Sequence, residues 1–313
     1  MALSLAGLSE WLGAFQAVFG AFGHAQVYVG GSSARALLDG SVAGLRDVDL
    51  FLDGEGRPEA ELGAIVARLV EERAVRGELR APREKLRAHP ELPLPARERH
   101  VIGVGTHLFP RAAPLPIVSL TLLRRREDLQ LGGIFNCDAI YVVVDTGRPL
   151  LAQVDAWTVI DPFDGVVAWR ARRPRVIHWE EVARCHTRHG LRIARTLAGC
   201  GCAVDAALVA RYRGASPGRP FAEPEEVVRD LIKLLADPTW RGGLARARAL
   251  GVGTGEPGFE WLVAALERWD PEVEAAGEDV LARARALLGA GQDVLLGRIA
   301  GALGSVFPFP EIG

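Results

Sequence analysis

Leu8, Leu12, Phe15, Phe19 and Phe22 recur at helical spacing and predict an amphipathic first helix with one buried stripe. An apolar run over 26–29 then predicts a strand that ends in Gly30-Gly31, and 33–38 predicts a short helix closed by Asp39-Gly40. The next run, 47–52, carries Asp47 and Asp49 two apart. Residues two apart on a strand share a face, so the two carboxylates project together while Val48, Leu50 and Phe51 can pack. Leu62, Ile65, Val66 and Leu69 predict a second amphipathic helix. From 76 to 100 the period is lost in a Pro- and Arg-rich stretch that includes His89-Pro90-Glu91-Leu92-Pro93-Leu94-Pro95, which predicts a long surface loop. Strand-like runs return at 117–123, 139–144 and 156–160, and after Asp164-Gly165 the pattern is helical to the end. The expected class is therefore α+β: a small mixed sheet with flanking helices, followed by an all-α half.

Composition narrows the picture only a little. With 313 residues there is room for two or three domains. The net charge is −2, so any nucleic-acid contact must come from a local patch rather than a global basic field. Positive charge is nearly all arginine; Lys85 and Lys233 are the two lysines. Four cysteines form no even-spaced framework and no secretory signal precedes them, which points to a reducing cytoplasm. The apolar N-terminus lacks a positive leader and carries Glu10 and Gln16, against a signal peptide or a membrane span.

The chemistry concentrates between 27 and 53. Gly30 and Gly31 allow a tight turn and let a phosphate approach backbone N–H groups. Two carboxylates on one strand beside such a turn suit Mg²⁺-dependent phosphoryl or nucleotidyl transfer. This spacing resembles the signature of the polymerase-β nucleotidyltransferase superfamily. Further along, Val159-Ile160-Asp161-Pro162-Phe163-Asp164-Gly165 resembles the turn that closes the head of class II tRNA nucleotidyltransferases (CCA-adding enzymes) and bacterial poly(A) polymerases. Gly190-Leu191-Arg192-Ile193-Ala194-Arg195 is similar to that family's PLRxxR helix, Cys200 through Val204-Asp205 falls at its LGFxID turn, and the run from Glu225 to Leu235 resembles its ERIxxELxKLL helix. Phe135-Asn136-Cys137-Asp138-Ala139-Ile140 is similar to DFTINAL. The matches keep family order over about 26–251.

The resemblance implies a nucleotidyltransferase head over 1–165, a helical neck and body over 166–251 and a C-terminal helical tail over 252–313. It implies that Asp47 and Asp49 hold Mg²⁺, that Gly30, Gly31, Ser32 and Ser33 cradle a triphosphate with Arg35 nearby, and that Arg192 reads the base with Arg195 and Asp138 close to the nucleotide. The implied reaction moves a nucleoside monophosphate from an NTP to a tRNA-like RNA 3′ end. Arg170, Arg172, Arg173 and Arg175, just after the head-closing turn, are the expected RNA-facing patch.

Departures from the family pattern keep two rivals open. The family's GGxVRD is Gly30-Gly31-Ser32-Ser33-Ala34-Arg35 here, closer to the GSxAR turn of enzymes that act on antibiotics or proteins. Leu131-Gly132-Gly133-Ile134 stands where the family has Arg-Arg-Asp, Arg188-His189 replaces its Glu-Asp, and 117–123 has no third carboxylate. Transfer to a small molecule or protein, and a weakened binding or scaffold relative, are the alternatives. Asp138 or Asp128 could stand in for the missing carboxylate. His178, Cys185, His186, His189, Cys200 and Cys202 suggest zinc, but no closed four-ligand spacing of the usual finger type is present. Gly251-Val252-Gly253-Thr254-Gly255 reads as a linker, Arg124-Arg125-Arg126 as a solvated strand end, and Trp157, Trp169 and Trp179 as packing residues.

Overall fold

The computed structural model describes residues 3–42, 45, 47–54, 58–76, 82–89, 91, 100–111, 115–215, 224–270, 279–289 and 293–306. It divides into two compact units, Met1–Arg170 and Ala171–Gly313. The first is built on a seven-stranded sheet of order β3-β4-β5-β2-β1-β6-β7. The strands are β1 (Gln26–Gly30), β2 (Asp47–Asp53), β3 (Arg83–Arg87), β4 (His100–Leu108), β5 (Ile117–Leu123), β6 (Tyr141–Asp145) and β7 (Thr158–Ile160). Every neighbouring pair is antiparallel except β2 and β5 at the centre, which run parallel.

One face of the sheet is covered by α1 (Leu5–Ala21), α2 (Gly31–Leu38) and α3 (Pro58–Glu71). Leu8, Leu12, Phe15 and Phe19 of α1 and Leu62, Ile65, Val66 and Leu69 of α3 pack there on Val29, Val48, Leu50, Leu52, Leu120 and Val142. Each such side chain contributes about 2 kcal/mol by leaving water. Phe22 departs from the expected stripe: it is the cap residue after α1 and is 36 % exposed. The opposite face carries a smaller cluster of Tyr28, Leu123, Tyr141 and Val143, closed by Leu129 and Leu131 from a 3₁₀ turn at Arg126–Leu131. Phe51 belongs to this second face rather than to the core with Val48 and Leu50, and meets Tyr141 edge-on at 5.5 Å between centroids.

The stretch 76–100 is not one long loop. Its described part contains β3, an edge strand paired to β4, whereas 77–81, 90 and 92–99 lie outside the described residues. The charged sequence Arg83-Glu84-Lys85-Leu86-Arg87 hides the strand, as edge strands often do. Glycines hide β4: a Cβ on Gly103 would stand 2.0 Å from the Leu122 carbonyl oxygen, and one on Gly105 would stand 2.4 Å from the Lys85 Cε. The three arginines after β5 are tied locally, Arg124 to Glu59 and Glu84, Arg125 to Asp128, and Arg126 over the Tyr28 ring.

The head-closing motif has a physical explanation. Asp161 accepts from the N–H groups of Gly165 (2.6 Å) and Val166 (3.0 Å) and so caps α4 (Gly165–Arg170). A Cβ on Gly165 would lie 2.2 Å from the Asn136 carbonyl, so Gly165 lets α4 rest on the turn at Asn136–Asp138.

The regular elements described in the second unit are helices: α5 (Trp179–Arg184), α6 (His186–Gly199), α7 (Ala206–Gly214), α8 (Pro224–Leu235), α9 (Trp240–Leu250), α10 (Glu260–Arg268), α11 (Val280–Leu288) and α12 (Asp293–Val306). α6 packs on α8 and α9, and α8 also meets α11 and α12. Gly190 brings α6 against Tyr212, whose hydroxyl would stand 2.2 Å from a Cβ there. Gly251 ends α9 in the left-handed conformation. The glycine run that follows is packed rather than a linker: Val252 is buried, and Glu256 reaches His186 Nδ1 at 2.5 Å. Among the described residues no helix is long and apolar enough to cross a membrane.

Candidate active site

Strand alternation sends Val48, Leu50 and Leu52 into the core and leaves Asp47 exposed and Asp49, Phe51 and Asp53 half-buried on the other face. Register sets the surroundings. Gly30 of β1 lies opposite Asp49 on one side, and Ser119 of β5 lies opposite it on the other, with Ile117 opposite Asp47. His107 of β4 lies opposite Ser119, so Gly30, Asp49, Ser119 and His107 form one row across four strands.

Gly30 and Gly31 are fixed by that row. A Cβ on Gly30 would stand 2.8 Å from Phe51 and 2.9 Å from Tyr141. Gly31 has φ +60°, and a Cβ there would come within 3.3 Å of Asp49 Oδ2. Gly31 thus sets no side-chain carbon against the Asp49 carboxylate. α2 starts at this point without a side-chain cap, so the positive end of its dipole opens beside the carboxylates.

The hydroxyls of the turn differ in availability. Ser33 is buried and its Oγ donates to the Asp47 carbonyl (3.0 Å) and accepts from the Asp49 N–H (3.3 Å), strapping α2 to β2. Ser32 is exposed. The Gly31 N–H donates to the Ile140 carbonyl at 3.2 Å. Arg35 donates to the Cys137 carbonyl and to Asp138 Oδ1 (3.1 Å), so these two expected nucleotide-site residues meet as an ion pair. Asp128 is 2 % exposed and held by His100 and Arg125. Burial pushes the Tyr141 phenol up, and Arg87, Asp49 and Asp138 are the charges that act on it. Burial and then Asp53 push the Tyr28 phenol up to about 12. The Leu131-Gly132 segment packs on Tyr141, whose hydroxyl would stand 2.0 Å from a Cβ on Gly132.

In the helical unit, Arg192 and Arg195 are half-buried on α6. Arg188, on the same helix, donates to Asp230 Oδ2 (2.8 Å) and Glu226 Oε2 (3.1 Å) of α8. Burial alone would raise the Asp230 carboxyl, but Arg188, then Lys233 and Arg195, hold it below the ordinary value. A carboxyl depressed in the folded state contributes stability above its unfolded value, and that stability is lost as pH falls through the folded value, below about pH 4. Arg188→Ala removes the main partner and lets burial dominate. It should cost about 2 kcal/mol at neutral pH and shift acid unfolding to higher pH, read by circular dichroism across a pH series. Unchanged acid unfolding would refute this pairing.

Arg170, Arg172, Arg173 and Arg175 are all exposed at the end of α4 and in the segment after it, with Arg172 at φ +53°. Of the six residues weighed for zinc, two come together. Cys185 and His189 converge with Glu181, which spacing had not singled out, whereas His186 is taken by Glu256 and the Cys202 thiol donates to the Arg172 carbonyl.

The fold, a mixed sheet with one parallel seam followed by a helical unit, is similar to that of CCA-adding enzymes of known structure. The CCA-adding enzyme of Thermotoga maritima, solved in complex with tRNA, matches at TM-score 0.58 and 16% identity over 96% of this chain and 67% of that one. A CCA-adding enzyme solved with ATP matches at TM-score 0.55 and 15% identity over 97% of this chain and 71% of that one. A tRNA-processing enzyme solved with CTP matches at TM-score 0.49 and 17% identity over 76% of this chain, which spans 56% of its length. No family sequence model matches the chain, and no curated protein matches it in sequence. The likeness is one of fold.

Proposed function

We propose that the protein is a metal-dependent nucleotidyltransferase that moves a nucleoside monophosphate from an NTP to a tRNA-like RNA 3′ end, with head, neck-and-body and tail over 1–165, 166–251 and 252–313. The observation that carries this reading is the pair Asp47 and Asp49 on one strand face beside the uncapped start of α2, with no Cβ at Gly31 to stand against the Asp49 carboxylate. Paired carboxylates suit a hard divalent cation, and a glycine turn opening a helix suits phosphate oxygens.

In this reading Asp47 and Asp49 are the Mg²⁺ ligands. When bound, Mg²⁺ supplies Lewis-acid stabilisation of the transferring phosphate and of the attacking and leaving oxygens. The first-turn N–H groups of α2 after Gly31, whose own N–H is held by the Ile140 carbonyl, and the Ser32 hydroxyl bind the triphosphate tail. Ser33, spent on the β2 backbone, positions the dyad instead of touching phosphate. Arg35 and Asp138, being paired, brace the turn, Arg192 and Arg195 are assigned to the nucleotide as the resemblance implies, and a reducing cytoplasmic setting fits four cysteines that form no disulfide.

The test is incorporation of labelled nucleotide from each Mg²⁺-NTP into pooled tRNA, with small-molecule and protein acceptors as parallel arms. Label in RNA alone supports the reading, label in another arm moves the acceptor, and label in none favours the scaffold reading. Ser119 at the register position beside Asp49, where a third carboxylate is missing, is what favours that last alternative. If RNA is the acceptor, changing Arg170, Arg172, Arg173 and Arg175 together to alanine should flatten the salt dependence of tRNA binding. Each lost phosphate contact removes about 0.7–0.9 from the log–log slope. An unchanged slope in a filter-binding titration would exclude this patch.

A further inference from the structure

α5 and α6 are nearly continuous but break at Cys185, whose φ −133° and ψ 57° lie outside the helical region. Glu181, Cys185 and His189 are spaced i, i+4 and i+8 across the break, so all three side chains gather on one side of the joint. Their Oε, Sγ and ring-nitrogen atoms lie within 4.8 Å of one another, and all three residues are buried. His189 is 4 % exposed, yet both of its ring nitrogens are shut off from solvent without a hydrogen-bond partner. Nε2 comes no closer to Glu181 than 3.5 Å, too long for a good hydrogen bond. A buried imidazole with a hydrogen bond on neither nitrogen is costly, and a ligand between the three donors would satisfy it.

We propose that Glu181, Cys185 and His189 form a binding site for a borderline divalent cation of the Zn²⁺ type, which ties α5 to α6 across their joint. The donor set selects the class: thiolate and imidazole favour Zn²⁺ over Mg²⁺ or Ca²⁺, and the carboxylate completes a three-donor set with one position left for water. Glutamate and thiolate together balance the charge of the ion. The supporting shell is present, since Arg184 donates to both Glu181 oxygens at 2.9 and 2.6 Å and fixes the carboxylate at the joint. The site lies in the helical unit, whereas Asp47 and Asp49 lie in the sheet unit, and it stands whether or not the proposed transfer reaction is correct.

The experiment is a Co²⁺ titration of the full-length, metal-stripped protein, followed by displacement with Zn²⁺. A near-ultraviolet thiolate-to-cobalt charge-transfer band saturating at one equivalent, abolished by Zn²⁺, is expected, together with a Zn²⁺-dependent rise in the thermal midpoint. Cys185→Ser should remove the band and weaken Zn²⁺ binding at least about tenfold, while Asp47→Asn with Asp49→Asn should leave both unchanged. Absence of the band in the wild-type protein would overturn the proposal without recourse to any variant. So would a band that survives Cys185→Ser, because the thiolate would then come from elsewhere.

Discussion

Asp49→Asn is expected to lower nucleotide incorporation by at least about 10²-fold while leaving thermal unfolding nearly unchanged. The substitution keeps the shape of the side chain and the backbone N–H that donates to Ser33, and removes only the charge a divalent cation needs. Substitutions at half-exposed positions that spare packing stay within about 0.5 kcal/mol. Asp47→Asn should act alike, and the double variant should lose little beyond the first, because the two carboxylates act as a unit. Asp53→Asn is the control: same strand, same face, but its carboxylate accepts from the Tyr28 hydroxyl at 2.9 Å. Loss of incorporation in Asp53→Asn with retention in Asp49→Asn, measured under single-turnover conditions, would move the centre away from the proposed dyad.

The second large effect concerns stability. His186→Ala should cost the protein about 3–5 kcal/mol, read as a fall in the urea midpoint of the full chain. His186 is 3 % and Glu256 4 % exposed, and the ring is held on both sides, by Glu256 at 2.5 Å and by the Tyr212 carbonyl at 2.8 Å. The imidazole also stacks on the Tyr212 ring at 3.9 Å, and the Tyr212 hydroxyl returns a hydrogen bond to the His186 carbonyl. Truncation strands a buried carboxyl group and a carbonyl at once. Replacing both partners, His186→Leu with Glu256→Leu, should cost less than the single change, since no polar group is then left unpaired. A single-variant loss under about 1 kcal/mol would contradict the buried pair as the clasp of this loop.

These two effects differ in how visible their causes are in the amino-acid sequence. The dyad is legible because its information is local: glycines at a turn and aspartates two apart on an apolar strand need no partner to be recognised. The helix faces of α1 and α3 are legible for the same reason, apart from Phe22, which outlasts the helix by one residue. β3 and β4 are not legible, because the reasons for their composition lie on other strands. Gly103 and Gly105 answer to Leu122, Thr121 and Lys85, so they read as loop until the register is known. The His186–Glu256 clasp spans 70 residues, and nothing near either partner announces it. Glu181 is the intermediate case: its spacing to Cys185 and His189 was readable on a helical wheel, but a search for paired cysteines and histidines passes over a carboxylate.

The parallel seam between β2 and β5 also bears on how the first unit folds. Strands β3, β4 and β5 follow one another and can pair as a local meander, and β1 and β2 are likewise neighbours in sequence. The β2–β5 contact instead joins residues 70 apart, Asp49 with Ser119 for example. Closing so long a loop must precede the reward of pairing, which delays the seam relative to the shorter-range pairings β1–β2 and β3–β4–β5 on either side. Ser119 therefore arrives beside Asp49 only when the two halves of the sheet dock. A chain caught before that step has both aspartates on a strand paired with β1 and exposes the unpaired edges of β2 and β5, so lesions at this seam should show themselves first as slow refolding and aggregation.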